Sequence, residues 1–334
     1  MPSKVGIFGL STMGKNLALN FSDNDVSVSV FNRTSSVTKE FVRSENRKNL
    51  VGFELVEDFI NSLDKPRIVL LLVKSDAVDS VLGLLKKSLE FDDIVVDLGN
   101  SYFRDSKLRA KLFEGNFIFC DCGISGGEKG ARHGASFMIG GSGEAPEKLK
   151  EVLAKVSAFK GDYSCVEIFE GAGAGHFVKM THNAIEYAVM QMYAELYALF
   201  IRLRYSTEQV IEVFEKLRQK GLDSYLLSIT IDILKYDLKN NILRRIVEEA
   251  GQKGTGRWTS QTALDWGIGV PTLSAAVEAR NLSSYFSQFS QRLSTVMTSG
   301  CNQSLDIDML VDSIKLVYLT TYEQGVQLFK RSLV

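Results

Sequence analysis

The start of the chain constrains its fold more than any other segment. An apolar run at residues 4–10 ends in the turn Gly9-Leu10-Ser11-Thr12-Met13-Gly14, and a stretch with helical spacing at residues 17–21 follows. A strand that enters a helix through a short glycine turn typically opens a βαβ unit. In such a unit the next strand runs parallel to the first. The sequence therefore predicts an open parallel sheet with helices on its faces.

Later apolar runs agree with this prediction. They are short and nearly continuous, as expected for strands buried on both faces, and lie at residues 26–31, 67–73, 94–97 and 117–121. Segments with helical spacing, such as residues 78–89, separate most of them. Two glycine-rich segments, residues 123–134 and 140–143, are expected to be loops that end the region. The predicted fold class is an α/β, Rossmann-type doubly wound domain.

The second half of the chain has a different pattern. Long helical stretches at residues 177–203, 207–220 and 305–334 replace the β-rich runs, with a loop expected at residues 251–259. Helical periodicity over such lengths is typical of an all-α domain. We therefore expect two domains, residues 1–172 and residues 173–334.

Charge and composition exclude several classes of protein. The net charge is −1, so nothing favours nucleic acid or a membrane surface as a partner. No apolar run approaches the ~20 residues of a membrane-spanning helix, and the first run is too short for a secretory signal. The four cysteines and three histidines form no disulfide framework and no metal-ligand pattern. We expect reduced core thiols, no metal and a cytoplasmic location.

The first turn has the chemistry of a dinucleotide site. Gly9 permits the tight turn, the small Ser11 lets the backbone approach a pyrophosphate, and Gly14 lets helix and strand pack closely. Ser11 stands where the usual G-x-G-x-x-G pattern has its middle glycine. The N–H groups and partial positive charge of the following helix attract the anion. We expect the turn, including Leu10 and Met13, to bind the cofactor.

The end of the second strand predicts which dinucleotide is bound. NAD-binding domains usually place an acidic residue there for the ribose 2′-hydroxyl, whereas this chain has Asn32, Arg33 and Thr34. A guanidinium with amide and hydroxyl donors suits a 2′-phosphate. The sequence thus favours NADP over NAD. The alternative is a surface arginine in a helix-capping turn.

Three later segments have unusual chemistry, and the first is residues 123–132. It contains Ser125, Gly126 and Gly127, whose hydroxyl and converging N–H groups suit a carboxylate or phosphate. A plain mobile loop is the alternative.

The second segment is the start of the long helix. Lys179, then His182 and Asn183, then Glu186 recur at i, i+3, i+4 and i+7, so they share one face of a helix that is otherwise largely apolar. A desolvated lysine can lose its proton and act as a general base. A carboxylic acid kept protonated in the same surroundings can act as an acid. The alternative is a structural pair of Lys179 and Glu186 linked through Asn183.

The third segment is the loop at residues 251–259. Lys253 and Thr255 stand between glycines and offer a cation, a hydroxyl and open backbone amides. Arg280, on a later helix, can complete an anion clamp. This combination fits a phosphate monoester.

Together these motifs resemble the 6-phosphogluconate dehydrogenases. The resemblance follows the family's order across essentially the whole chain, through residues 9–16, 32–34, 73–74, 97–101, 125–127, 173–187 and 252–259. It implies a metal-free, NADP-dependent oxidative decarboxylation of 6-phosphogluconate to ribulose 5-phosphate, in the oxidative pentose phosphate pathway. It also implies a homodimer.

The resemblance further implies roles for individual residues. Lys179 accepts the proton of the substrate's 3-hydroxyl, and Glu186 helps to protonate C1 of the enediol left after carbon dioxide departs. The residues implied to hold the sugar acid are Asn100, Ser125, Gly126, Gly127, His182 and Asn183, with Tyr187, Lys253, Thr255 and Arg280 for its phosphate. Val73, Lys74 and Asn100 join the cofactor site.

The end of the sequence departs from the family. Typical members continue through further helices to a tail that brings an arginine and a histidine to the partner's active site, whereas this sequence ends at Val334. We therefore expect the helices and tail to be missing here. Two alternatives stay open: an NADP-binding relative with impaired catalysis, and a sister 3-hydroxyacid dehydrogenase. Intact Lys179 and Glu186 argue against the first, and the phosphate-binding residues argue against the second.

Overall fold

The computed structural model describes residues 5–247, 249–293 and 306–332. The predicted element ends at Lys4, Leu305 and Val334, and the predicted thiol of Cys301, lie outside these residues. The chain divides into two compact units, Met1–Lys179 and Met180–Val334. This division lies within a long helix that begins at Ala174, whereas the sequence places the domain boundary just before that helix.

The first unit is built on a sheet of eight strands within the described residues. With a separate pair, the described strands of this unit are β1 (Val5–Phe8), β2 (Val28–Phe31), β3 (Leu50–Phe53), β4 (Ile68–Leu71), β5 (Ile94–Asp97), β6 (Ile118–Ser125), β7 (Ser136–Gly141), β8 (Phe159–Lys160), β9 (Tyr163–Ser164) and β10 (Val166–Glu170). The sheet order is β10-β7-β6-β5-β4-β1-β2-β3, and β8 pairs separately with β9. All neighbours in the large sheet are parallel except β6 and β7. The sequence order of the strands reverses between β1 and β4.

Helices cover both faces of this sheet. They are α1 (Thr12–Asp23), α2 (Ser35–Glu45), α3 (Val56–Asn61), α4 (Val78–Leu85), α5 (Phe103–Leu112), α6 (Gly127–His133) and α7 (Ala145–Ala154). Successive strand residues contribute to two separate cores: Leu70 packs in one, and its neighbours Val69 and Leu71 pack in the other. All three side chains are completely buried, as expected when a sheet is covered on both sides. The predicted Rossmann-type fold class is confirmed.

The prediction that the glycine-rich residues 123–134 and 140–143 form loops was partly wrong. Gly123 belongs to β6, Gly140 and Gly141 to β7, and residues 127–133 form α6. Strands β3, β7 and β10 were not predicted at all. Glycine weakens strand propensity, but it also marks places where another backbone approaches closely. Such an approach explains Gly123 and Gly140, because a Cβ on Gly123 would lie 2.4 Å from Lys179 Cβ and one on Gly140 would lie 2.5 Å from Gly175 N.

The described secondary structure of the second unit consists of helices joined by loops, as predicted. Its helices are the greater part of α8 (Ala174–Arg202), then α9 (Thr207–Leu217), α10 (Tyr225–Asn240), α11 (Thr255–Asp265), α12 (Pro271–Leu293) and α13 (Ile307–Ser332). Aromatic and aliphatic side chains, among them Phe200, Phe214 and Leu227, form its core. The predicted loop at residues 251–259 is shorter than expected, because α11 already begins at Thr255. None of the described helices combines the length and apolar character needed to cross a membrane.

The described cysteines are free thiols. Cys120 and Cys122 are buried in β6, whereas Cys165 is only partly buried, so the expected core position holds for the first two. Burial raises the pKa of the Cys120 thiol to about 12. Such a thiol stays protonated and unreactive near neutral pH.

Candidate active site

The turn after β1 has the geometry expected of a pyrophosphate cradle. Gly9 has a φ of +107°, and a Cβ there would lie 2.7 Å from Leu72 O. A Cβ on Gly14 would lie 2.0 Å from Gly9 O. Ser11 caps α1, since its hydroxyl accepts a hydrogen bond from Gly14 N at 3.3 Å. Glycine at both positions therefore lets α1 begin directly at the sheet edge, with its N-terminus open to an anion.

Asn32 ties this turn to the end of β2. Its Oδ1 accepts a hydrogen bond from Leu10 N at 3.1 Å, and its Nδ2 donates to Thr34 O at 3.3 Å. Asn32 therefore holds two turns together, a role that the sequence did not predict. Arg33 and Thr34 follow and are exposed. Thr34 occupies the cap position of α2 without a side-chain capping hydrogen bond, which leaves its hydroxyl available to a ligand.

The other predicted cofactor residues lie at the same edge of the sheet. Val73 and Lys74 lie just beyond the end of β4, after Leu72, and β4 is the parallel neighbour of β1 at the point where the strand order reverses. In open α/β sheets ligands bind at this point, outside the carboxyl ends of the strands. Met13 differs from the rest, because its side chain packs partly against the core.

Asn100 lies in the turn after β5, and a buried carboxylate shapes that turn. Asp97 is completely buried; its Oδ1 accepts from Gly99 N at 2.9 Å and its Oδ2 from Ser101 Oγ at 2.6 Å. Arg109 Nη1 lies 3.4 Å from the same Oδ2. These contacts fix both neighbours of Asn100 and leave the Asn100 side chain exposed.

The loop after β6 and the start of α8 hold the other predicted site residues of the first unit. Ser125 ends β6, and Gly126 and Gly127 are exposed with φ of +121° and +60°. Lys179 is 8% exposed and its stem packs on Gly123, two residues before Ser125. The predicted substrate loop therefore continues from the end of β6, and the predicted base Lys179 packs on the same strand.

In the helical unit, α8 presents its predicted polar stripe. His182 Nδ1 lies 3.3 Å from Asn183 Oδ1 and 3.6 Å from Glu186 Oε2. The His182 and Glu186 side chains are 35% and 39% exposed, so both are accessible. Glu186 therefore faces the His182 ring, one turn earlier on the same helix.

The predicted phosphate-binding residues gather beside this stripe. Asn183 Nδ2 donates to Thr255 Oγ1 at 3.2 Å, which connects α8 to α11. The Arg280 guanidinium stacks on the Tyr187 ring, 3.6 Å from its centroid, and Nη1 donates to Gly251 O at 2.9 Å. Its Nη2 also lies 3.6 Å from Met190 Sδ. Such stacking orients a guanidinium for an anion. Lys253 is exposed on the loop between Gly251 and Thr255.

Several supporting residues were missed by sequence reasoning. Gln252 Nε2 donates to Asn281 Oδ1 at 2.6 Å and anchors the loop before α11 to α12. Asp97 and Asp121 are completely buried acids. Each ended an apolar run in the sequence, and an acid at the carboxyl end of a buried strand is a signal that could have identified both.

Comparison with known proteins identifies the family. The family model for the NAD binding domain of 6-phosphogluconate dehydrogenase matches residues 4–171, and the model for its C-terminal domain matches residues 175–333. The decarboxylating 6-phosphogluconate dehydrogenase of Schizosaccharomyces pombe is 39% identical over 98% of this chain and 69% of its own length. This chain belongs to the 6-phosphogluconate dehydrogenase family. The resemblance found in the motifs is thereby confirmed.

Other members of the family are longer than this chain. The NADP(+)-dependent, decarboxylating enzyme of Bacillus subtilis is 44% identical over 84% of this chain, and the match covers 61% of its own length. The solved 6-phosphogluconate dehydrogenase of Plasmodium falciparum, described with its cofactor NADP+ and with its substrate 6-phosphogluconate, superposes with a TM-score of 0.90 at 38% identity. That match covers 98% of this chain and 73% of the other. A 3-hydroxyisobutyrate dehydrogenase of Mycobacterium tuberculosis, at 16% identity and a TM-score of 0.66, shares the fold alone.

Proposed function

We propose that this chain oxidises and decarboxylates 6-phosphogluconate to ribulose 5-phosphate with reduction of NADP. The observation that carries the proposal is the cluster of Arg280, Tyr187 and Thr255, joined through Asn183 to His182 and Glu186. An oriented guanidinium and a hydroxyl suit a phosphate, and the adjoining amide, imidazole and carboxylate suit a chain of hydroxyls. A small unphosphorylated hydroxyacid would leave the Arg280 cluster without a ligand, so the cluster favours the phosphorylated substrate.

The residues of the first unit fit NADP. Gly9 and Gly14 let the turn and the start of α1 pack closely on the sheet edge, as in folds that bind a pyrophosphate at this helix N-terminus. Exposed Arg33 and Thr34 offer a cation and a hydroxyl for the 2′-phosphate. When bound, the nicotinamide supplies the hydride acceptor for C3 of the substrate. Val73, Lys74 and Asn100 lie along the same sheet edge to position it.

The residues of α8 supply the proton transfers. Lys179 takes the proton from the 3-hydroxyl as hydride leaves C3, which gives a 3-keto acid. The bond between the carboxyl carbon and C2 then breaks, carbon dioxide leaves, and the electron pair forms an enediol. Glu186 helps to protonate the former C2, which becomes C1 of ribulose 5-phosphate. Asn100, Ser125, Gly126 and Gly127 would hold the carboxylate and hydroxyls during these steps.

We propose further that the chain acts as a cytoplasmic homodimer in the oxidative pentose phosphate pathway. The free thiols of Cys120, Cys122 and Cys165 are usual in a reducing compartment. Met309, Leu316 and Leu319 share a face of α13 and are each more than 60% exposed, which is typical of a protein contact surface. Sedimentation of the purified chain and fractionation of the source cells test these two points.

A turnover assay tests the activity. The chain is mixed with NADP and 6-phosphogluconate, and reduced cofactor and released carbon dioxide are measured together. We expect both products in equal amounts. NADP binding without turnover would replace the proposal with an impaired relative, and turnover of 3-hydroxyisobutyrate in preference to 6-phosphogluconate would replace it with a sister dehydrogenase.

A further inference from the structure

The first turn of α8 is capped by a side chain from the sheet. Asp121, in β6, is completely buried. Its Oδ1 accepts a hydrogen bond from Gly173 N at 2.5 Å and its Oδ2 accepts one from His176 N at 2.7 Å. The first N–H groups of a helix have no partner within the helix, so Asp121 satisfies groups that burial would otherwise leave unpaired. A negative charge is also favourable at this positive end of the helix.

Few charged groups face the Asp121 carboxylate. His176 Nδ1 lies 3.8 Å from Oδ2 and 2.7 Å from Ser106 Oγ, and Asp97 is its register partner on β5. The thiols of Cys120 and Cys122 flank it along β6. Burial raises the pKa of Asp121 above its ordinary value, while His176 and the two N–H donors act in the opposite direction. Both carboxylate oxygens accept N–H bonds, which is the arrangement of an anionic cap.

The same turn of α8 lies directly on the sheet. A Cβ on Gly175 would be 2.3 Å from Met138 O, and one on Gly140 would be 2.5 Å from Asp121 Oδ1. Lys179 is three residues beyond His176 and its stem packs on Gly123. The first turn of α8 therefore packs tightly on the sheet. Any shift of the capped turn moves Lys179 with it.

We propose that Asp121 is a positioning residue, which fixes the first turn of α8 on β6 and thereby sets the place and the electrostatic surroundings of Lys179. The inference rests on the proposed function only in giving Lys179 the role of proton acceptor. Two consequences follow from the geometry. Loss of the cap loosens the first turn, and a misplacement of about 1 Å can cost on the order of 100-fold in rate. Loss of the negative charge leaves the positive end of α8 uncompensated, which favours the uncharged form of a nearby lysine.

The test uses two neutral variants of the full chain. Asp121→Ser removes the charge and replaces the carboxylate with a shorter hydroxyl, which can accept at most one N–H bond. Asp121→Asn keeps the shape and also removes the charge. Either variant suffices if the other does not accumulate as folded protein.

A matched control exists in the same unit. Asp93 is also buried, and its oxygens accept from Arg67 N at 2.7 Å and from Glu90 N at 2.8 Å. It lies before β5, at the opposite edge of the sheet from the candidate site. Asp93 Oδ2 also pairs with Arg67 Nη1 at 2.8 Å. Asp93→Ser and Asp93→Asn therefore remove a buried carboxylate that accepts two backbone bonds, together with an ion pair, away from α8, which makes them a stringent control.

The first measurement is hydrogen–deuterium exchange with mass spectrometry, which requires no activity. The proposal expects faster exchange at residues 173–179 in the Asp121 variants, by tenfold or more, and unchanged exchange there in the Asp93 variants. Equal exchange at these residues in wild type and Asp121 variants would overturn the proposal.

The second measurement is the pH profile of kcat/KM with NADP binding as the check on folding. The proposal expects NADP affinity within twofold of wild type and kcat lowered at least tenfold. It also expects that the fall of kcat/KM on the acid side of the profile, where the general base becomes protonated, moves to lower pH. A purely structural role would lower the amount of folded enzyme without moving that fall, so an unmoved fall with wild-type kcat per folded molecule overturns the proposal. If the wild-type chain has no turnover, the proposed function fails, and the exchange measurement alone still decides whether Asp121 fixes α8.

Discussion

The two units hold their candidate site residues in different ways. In the α/β unit the supporting groups are buried: Asp97 and Asp121 are inaccessible to solvent and bind backbone N–H groups of the elements that carry Asn100 and Lys179. In the helical unit the supporting contacts are between partly exposed side chains, such as Arg280 on Tyr187 and His182 beside Glu186.

This difference predicts different responses to substitution. Buried hydrogen bonds are stronger, and expensive to leave unmade, because water cannot replace the lost partner. Exposed contacts are partly screened by solvent and cost little to break. We therefore expect changes in the α/β unit to affect rate and stability, and changes in the helical unit to affect substrate affinity at nearly constant stability.

The largest effect is expected for Lys179→Met. Loss of a general base typically lowers turnover by about 100- to 10,000-fold, and NADP affinity should stay the same because the turn at Gly9 is untouched. Steady-state kinetics and a cofactor titration measure both quantities. Lys253→Met is the matched control, and it should raise KM for 6-phosphogluconate while keeping most of kcat. A similar kcat for the two variants would contradict the role of Lys179.

The next effect is the stability change in Asp97→Asn. Arg109 is 4% exposed, and loss of the charge on its buried partner should lower the free energy of unfolding by about 3 kcal/mol. Asp79→Asn removes the other carboxylate bound to Arg109, but Asp79 is 68% exposed, so its loss should cost less than about 1 kcal/mol. Urea denaturation compares the two variants. Equal denaturation midpoints for the two variants would mean that the burial of the carboxylate does not determine its contribution to stability.

A smaller effect on affinity is expected for Arg280→Ala. Loss of one charge-assisted contact is worth about 1.5–3 kcal/mol, which corresponds to a 10- to 100-fold higher KM for 6-phosphogluconate. Thermal stability should change little because Arg280 is only partly buried. Arg257→Ala, an exposed arginine on α11, is the control and should leave KM unchanged. A large loss of stability in Arg280→Ala would remove the contrast between the two units.

The smallest effect is expected for Arg33→Asp. The exposed guanidinium should contribute on the order of 1.4 kcal/mol to 2′-phosphate binding, so the preference for NADP over NAD should fall about tenfold. Arg43→Asp changes the same charge near the other end of α2 and serves as the control. Competition titrations with the two dinucleotides measure the preference. An unchanged ratio in Arg33→Asp would refute the role assigned to it.

Much of the fold could be predicted because its signals are local. The turn at residues 9–14 depends on glycine at two positions and on a small capping residue at a third, and the i, i+3, i+7 spacing on α8 depends on helical geometry alone. Strand β7 escaped prediction because it ends in two glycines, and β10 because two glutamates interrupt its short apolar pattern. The glycines of β7 look like loop residues until α8 is seen to lie against them.

The sequence by itself therefore determined the fold class, the first cofactor turn and the polar face of α8, because neighbouring residues fix backbone preference and side-chain direction. Only the tertiary structure decided that β6 and β7 are antiparallel, that Arg280 stacks on Tyr187, and that Asp121 caps α8. Those contacts join residues distant in the chain. The Asp121 cap exists because burial forces a polar group to find a partner within the packed fold, and the stacking exists because the fold brings the two side chains together.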